Sequence, residues 1–273
     1  MDHLGRYVPG NSAVHRLDPR VKICAAAAFS LVALRSGFPG EALLGGFLAA
    51  AALFSRISFF RLLRTLRPAA FFFALLFCLH LFFTEGRPVP PFPLGPVRVT
   101  YEGFRQGALL TGQFVLLVLA ASLLGMTTSP ADLAGGLEKL LSPLRRLGVP
   151  VHDLALMVSL ALRFVPTLLE EAQKIKEAQL ARGADWQTGG LARKTKAAAA
   201  LALPLASGAL RRAEELAAAL EARGYAGGPR TGLKELRLAR PDYAALAVTA
   251  LFLAGVYVLE RLFFSKVSPH PLP

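Results

Sequence analysis

Cysteine is nearly absent: two residues in 273, Cys24 and Cys78, both inside apolar runs. That excludes a disulfide-stapled scaffold and leaves plain packing as the reading of each thiol. No GxxxxGK[ST] loop occurs; "GGLARKT" carries a basic residue before threonine but lacks the glycine spacing that cradles phosphates, so the chain is not expected to hydrolyse ATP alone. The five histidines, His3, His15, His80, His152 and His270, never fall at i, i+3 or i+4, so neither a metal site nor a cofactor is expected.

Apolar residues are abundant instead. They make up 54% of the chain, with 19 phenylalanines and a mean hydropathy of +0.47, too apolar for one or two soluble domains. Five segments are long and apolar enough, or nearly so, to cross a bilayer: Val21 to Leu34, Glu41 to Phe54, Pro68 to Phe83, Phe104 to Met126 and Tyr243 to Phe264. The first two are short and alanine-rich. A basic stretch precedes the first, as in a signal peptide, but the further spans favour a retained helix. "TEGRPVPPFPLGPVRVTYEG" between the third and fourth reads as an ordered loop without helix.

The net charge of +13 would suggest nucleic acid in a soluble protein; in a membrane protein it decides orientation, and no nucleic-acid partner is expected. With the N-terminus in the cytoplasm, 25 of the 31 Lys and Arg residues lie inside, four of them in the short stretch Arg56, Arg61, Arg64 and Arg67. The expected organisation is a membrane domain (1–126), a cytoplasmic coupling domain (127–240) and a C-terminal transmembrane helix (241–273) of the cell membrane.

The 127–240 region is unusual. It opens with a Ser129 cap and Pro130 at the first helical position. Two long helices are then expected, from Asp153 to Arg182 and from about Leu191 to Arg223, each about 45 Å long. Each contains a proline, Pro166 or Pro204, which should kink or break it. Each begins apolar and ends charged. A spanning hairpin is the alternative, but it would put six Lys and Arg residues outside.

Carboxylates are missing from the middle of the spans; Glu41 and Glu260 sit near ends. Carriers and membrane enzymes usually place ionisable groups there. Ser122, Thr111, Gln113 and His80 are the loose candidates for a polar cluster. Arg163, in the apolar half of its helix, reads either as an arginine snorkelling to head groups or as a buried partner that holds the kink.

Both long helices end in one tripeptide: Ala181, Arg182, Gly183 and Ala222, Arg223, Gly224. An arginine in the last turn followed by glycine is a frequent helix stop. Two such tips, each slimmed by an alanine and ending a long two-part helix, offer rigid five-donor forks to carboxylates on other proteins.

Together "YVPGNSAVHRLDPRVKI", "TTSPADLAGGLEKLLSPLRRLGVPVHDLALMVSLALRFVPTLLEEAQKIKEAQLARG" and "RRAEELAAALEARGY" resemble the T component of energy-coupling factor (ECF) transporters, the vitamin-importing branch of ABC transporters. The resemblance spans nearly the whole chain. It implies an all-α, polytopic membrane scaffold of about five spans plus three coupling helices, non-catalytic, with two ABC-type ATPase subunits and a substrate-binding S component as partners. It also implies that Arg182 and Arg223 each seat on one ATPase, with Ala181, Gly183, Ala222 and Gly224 shaping the tips. Gly135, Gly136 and Arg163 are then candidate S-component contacts, on a smooth face of small residues. The match looks closer to the module shared among vitamin-specific S components than to dedicated cobalt or nickel versions. A stand-alone carrier and a membrane enzyme are the rivals from other classes. Whether the two arginines project together, free of partners in their own chain, is the question left for the structure.

Overall fold

A computed structural model describes residues 7–94, 97–148, 150–183, 190–225 and 238–267. His3, His270, the side chain of His152 and the "SPHPLP" tail lie outside the described residues. The chain forms two compact units, residues 1–139 with 235–273, and residues 140–234.

The first unit holds α1 (Pro19–Ala33), α2 (Phe38–Phe54), α3 (Phe59–Arg64), α4 (Ala70–Phe83), α5 (Tyr101–Thr127), α6 (Pro130–Leu141, ending at the unit's edge) and α9 (Arg240–Val267). Among the described residues, three stretches are long and apolar enough to cross a membrane: Phe59–Phe83, Tyr101–Thr127 and Arg240–Leu262; α2 is apolar but shorter. Side chains are arranged as lipid contact requires. The core gathers Phe29, Leu44, Leu48, Leu116, Leu119 and Leu253 around α5, while Phe71, Phe83, Leu53 and Leu251 point outward. Such an apolar exterior is a liability in water and a match in hydrocarbon. The protein is an all-α, polytopic membrane protein.

Local signals explain the starts. Pro19 opens α1 and the Asp18 carboxylate caps it, accepting from the Arg20 N–H at 2.8 Å. The Arg20 guanidinium bonds the same carboxylate at 2.8 Å, and this bond holds the Asp18 carboxyl below the usual carboxylate range against the opposing effect of burial. Ser129 caps α6, its hydroxyl accepting from the Asp132 N–H at 3.1 Å, with Pro130 at the first helical position as expected.

One end of this unit is tied by polar bonds that the sequence does not announce. The Asp242 carboxylate accepts from the N–H groups of Asp18 (2.7 Å) and Ala239 (2.8 Å), joining the starts of α1 and α9. The Lys22 ammonium donates to the carbonyls of His15 (3.1 Å) and Thr127 (3.0 Å), adding the end of α5. At the opposite end Glu260 of α9 accepts from the Gly37 N–H at the start of α2, and the Gln113 amide donates to the Ser36 carbonyl at 2.8 Å.

The stretch expected to be a loop is a hairpin: β1 (Pro88–Leu94) pairs antiparallel with β2 (Val97–Thr100), Leu94 opposite Val97. Proline tolerates this because both strands of a two-stranded ribbon are edges, so its missing N–H can face away from the partner. α4 is preceded by α3 and a turn at Arg67–Ala69, so the helical run begins well before Pro68.

Candidate functional site: two arginine helix ends

The second unit is built on α7 (Val151–Ala181) and α8 (Leu191–Ala222). They pack antiparallel. Tyr225, just past α8, donates its hydroxyl to Asp153 at the start of α7, 3.3 Å away. Farther along, Leu160, Phe164 and Leu168 face Ala209, Ala213 and Leu216 across a cavity of about 210 Å³. Arg212 and Glu171 form an ion pair at 2.7 Å. About one third exposed, that pair adds at most about 1 kcal/mol; the facing Leu, Phe and Ala side chains carry the pairing.

The expectation of a break at the prolines is not met, because each helix runs uninterrupted through Pro166 or Pro204. One lost backbone bond is a small part of a helix of 31 or 32 residues, and the Ser207 hydroxyl bonds the Pro204 carbonyl at 2.9 Å.

Both tips have the same backbone. Arg182 (φ −86°, ψ 8°) and Arg223 (φ −87°, ψ 8°) end the helices, and Gly183 (φ +83°) and Gly224 (φ +76°) follow in the left-handed region. The Gly183 N–H donates to the Leu180 carbonyl and the Gly224 N–H to the Glu221 carbonyl, each at 2.9 Å; the Tyr225 N–H adds a bond to Leu220 at 3.0 Å. The second tip is thus a complete Schellman cap. No heavy atom lies within 4 Å of where a Cβ would stand on either glycine, so glycine is required there by backbone angle and not by crowding.

Ala181, Arg182, Ala222 and Arg223 are exposed. Among the described residues neither guanidinium makes an ion pair or a side-chain hydrogen bond. The two stand at opposite ends of the helix pair. With Tyr225 against Asp153, the antiparallel pairing puts Arg223 at the end where α7 begins, and Arg182 about 40 Å away at the other, at 1.5 Å per residue.

The remaining candidates are not part of either tip. Arg163 is exposed on α7, which removes the reading of a buried partner for the kink. Gly136 is buried inside its own unit: a Cβ there would stand 2.9 Å from the Pro19 Cβ and 3.3 Å from Ile23. Gly135 has nothing within 4 Å. Leu154, Met157 and Val158 of α7 and Leu203 and Leu210 of α8 are exposed, leaving apolar surface that their pairing does not cover. The loose polar candidates of the spans do not converge: Gln113 is bonded to Ser36, and His80 to the Leu76 carbonyl of its own helix at 3.0 Å. Sequence reasoning missed Tyr225, whose only signal is its place directly after the second glycine, and the Asp18, Lys22 and Asp242 ties.

Comparison with known proteins matches residues 10–233 to the CbiQ family, described as "Cobalt transport protein". The chain is 44% identical over 254 residues to the energy-coupling factor transporter transmembrane protein EcfT of Thermosediminibacter oceani, covering 92% of this chain and 95% of that one. It is 46% identical to the protein of the same name in Brevibacillus brevis (91% and 94% covered) and 41% identical to that of Bacillus subtilis (96% and 97%). The chain belongs to the CbiQ/EcfT family, the transmembrane proteins of energy-coupling factor transporters.

Proposed function

We propose that this protein is the coupling subunit of an ECF-type ABC importer, linking ATP hydrolysis by two cytosolic ATPase subunits to vitamin uptake through an interchangeable S component. The observation that carries the reading is the pair of identical, exposed Arg–Gly helix ends at opposite ends of one helix pair. A spacing of about 40 Å, at 1.5 Å per helical residue, suits two separate sockets, one on each ATPase, and not two arginines sharing one. Each fork would meet a carboxylate through charge-assisted bonds, and each alanine would keep the tip slim enough to enter a groove. Closure of the ATPase dimer would then drive the two ends of α7 and α8 together or apart. Pro166 and Pro204, each depriving a carbonyl of its donor, are the natural flexing points.

The exposed leucines of α7 and α8, with Arg163, and the open side of Gly135 are offered to the S component. Such surface accepts several partners because it relies on apolar area and small residues; Gly136 is spent on an internal contact. The chain itself performs no catalysis and takes no cofactor. It resides in the cell membrane with the N-terminus and residues 127–240 in the cytoplasm, as the Lys and Arg asymmetry favours.

A second reading, the T component of a dedicated cobalt or nickel importer, draws on the family's description as a cobalt transport protein. The name shared by the relatives, covering over nine-tenths of the chain, favours the general module. Affinity purification from native membranes, with identification of each co-purifying subunit, tests the assignment: two ATPases and more than one S component are expected. Recovery of a single metal-specific S component would favour the second reading. Liposomes holding this protein alone should transport nothing; uptake without partners would overturn the coupling role.

A further inference from the structure

Four arginines stand at the corner between α2 and α4: Arg56, Arg61, Arg64 and Arg67. All are exposed, and among the described residues none has an acidic partner. No carboxylate occurs in the sequence between Glu41 and Glu85, so the corner has no neighbouring acid on its own segment. Of the acids at this end of the unit, Asp18 is engaged by Arg20, Asp242 by two backbone N–H groups and Asp132 by the Ser129 hydroxyl.

The corner is rigid. Ile57 and Leu62 belong to the core, and the buried hydroxyls of Ser55 and Thr65 bond the carbonyls of Ala52 (3.0 Å) and Leu62 (2.6 Å). Against this anchored side the outer side presents Phe59, 50% exposed, and Phe60, 79% exposed, among the guanidiniums. Arg56 has its φ of +55° because it closes α2: its N–H donates to the Leu53 carbonyl (3.0 Å) and the Ile57 N–H to the Ala52 carbonyl (3.2 Å), a Schellman cap that fixes the direction in which the chain leaves the helix.

We propose that this corner is a binding site for anionic phospholipids, with the guanidiniums on the phosphates and Phe59 and Phe60 sunk among the acyl chains. The occupant follows from chemistry. Apart from Arg56, the corner is the basic start of the Phe59–Phe83 stretch, whose remainder after Arg67 carries no Asp, Glu, Lys or Arg, so it meets the bilayer at head-group depth. Aromatic rings beside arginines suit that interface, where one partner is a phosphate and the other hydrocarbon. The family assignment says nothing of this surface, and the inference does not depend on the docking role of Arg182 and Arg223.

Native mass spectrometry of the purified protein, titrated with phosphatidylglycerol and with phosphatidylcholine, tests it. Wild type should prefer phosphatidylglycerol, and R61Q/R64Q should lose about 25-fold of that preference, at roughly fivefold per arginine near an anionic surface. R61K/R64K should retain most of it. R35Q/R87Q, away from the corner, should leave it intact. R56G should lose about fivefold while the protein becomes no less heat-stable, since glycine relieves the backbone. Unchanged preference in R61Q/R64Q, or an equal loss in R35Q/R87Q, overturns the proposal. Equal competition by free inorganic phosphate would assign the corner to a soluble anion and also overturn it.

Discussion

Alanine at Gly183 or Gly224 should loosen the helix ends without disturbing the packing of the helices. The perturbation is confined to the backbone, because a Cβ at either position meets no heavy atom within 4 Å. At φ +83° and +76° an L-residue costs about 1–2 kcal/mol relative to glycine. The cost falls on a local opening: the cap bonds from Gly224 to Glu221 and from Tyr225 to Leu220 break, while the helix above them is held by its packing against α7. Amide exchange at Tyr225 should therefore speed up about 5- to 30-fold in Gly224→Ala, with exchange in the middle of α8 unchanged. Asparagine tolerates the left-handed region better, so Gly224→Asn should show a smaller increase. Wild-type exchange in Gly224→Ala, or an asparagine variant as loose as the alanine one, would refute the argument that glycine is there for its backbone angle. Because Arg223 is the residue that the cap orients, the same variant should also weaken ATPase docking.

Further expectations concern the first unit. Gly136→Leu should destabilise it by about 1–3 kcal/mol through the clash with Pro19, whereas Gly135→Leu should leave thermal stability unchanged and reduce S-component recovery. The Asp18 carboxyl is held below its usual range by Arg20, so its contribution to stability is fully present above the unfolded-state value near 4 and is lost as pH falls through the lower folded-state value. Asp18→Asn should lower stability at neutral pH and flatten the acid limb of an unfolding profile; an unaltered acid limb would show that the Arg20 contact carries no such linkage.

Most of the helices were legible in the sequence because their signals are local. Pro130 after Ser129 and the two Arg–Gly stops bracket elements whose observed ends lie within two or three residues of expectation. The runs ending at Phe83 and Phe54 were equally plain at their apolar ends. What escaped depends on contacts distant in sequence. Asp242 meets Asp18 across more than two hundred residues, and no periodicity announces it. The antiparallel pairing of α7 and α8 rests on small residues such as Ala209 and Ala213, which a hydropathy pattern weights lightly. Their antiparallel order, which sets the two tips at opposite ends of the pair, follows from those contacts and not from any local signal. The prolines misled in both directions. Pro166 and Pro204, expected to kink or break their helices, do not break them, and the prolines of residues 88–94 hid a hairpin.

The central claim is that Arg182 and Arg223 are two independent docking points for two ATPase subunits. The direct measurement is binding of the purified ATPase pair to Arg182→Glu, Arg223→Glu and the double variant, read beside ATP-driven vitamin uptake after reconstitution with an S component. Both side chains are exposed and lack partners among the described residues, so thermal stability should stay within about 0.5 kcal/mol of wild type. Each reversal should cost about 2–5 kcal/mol of docking, and sites about 40 Å apart should lose binding additively. Uptake should fall while the ATPases retain their own activity. A double variant that binds the ATPase pair and imports vitamin as wild type does would contradict the account.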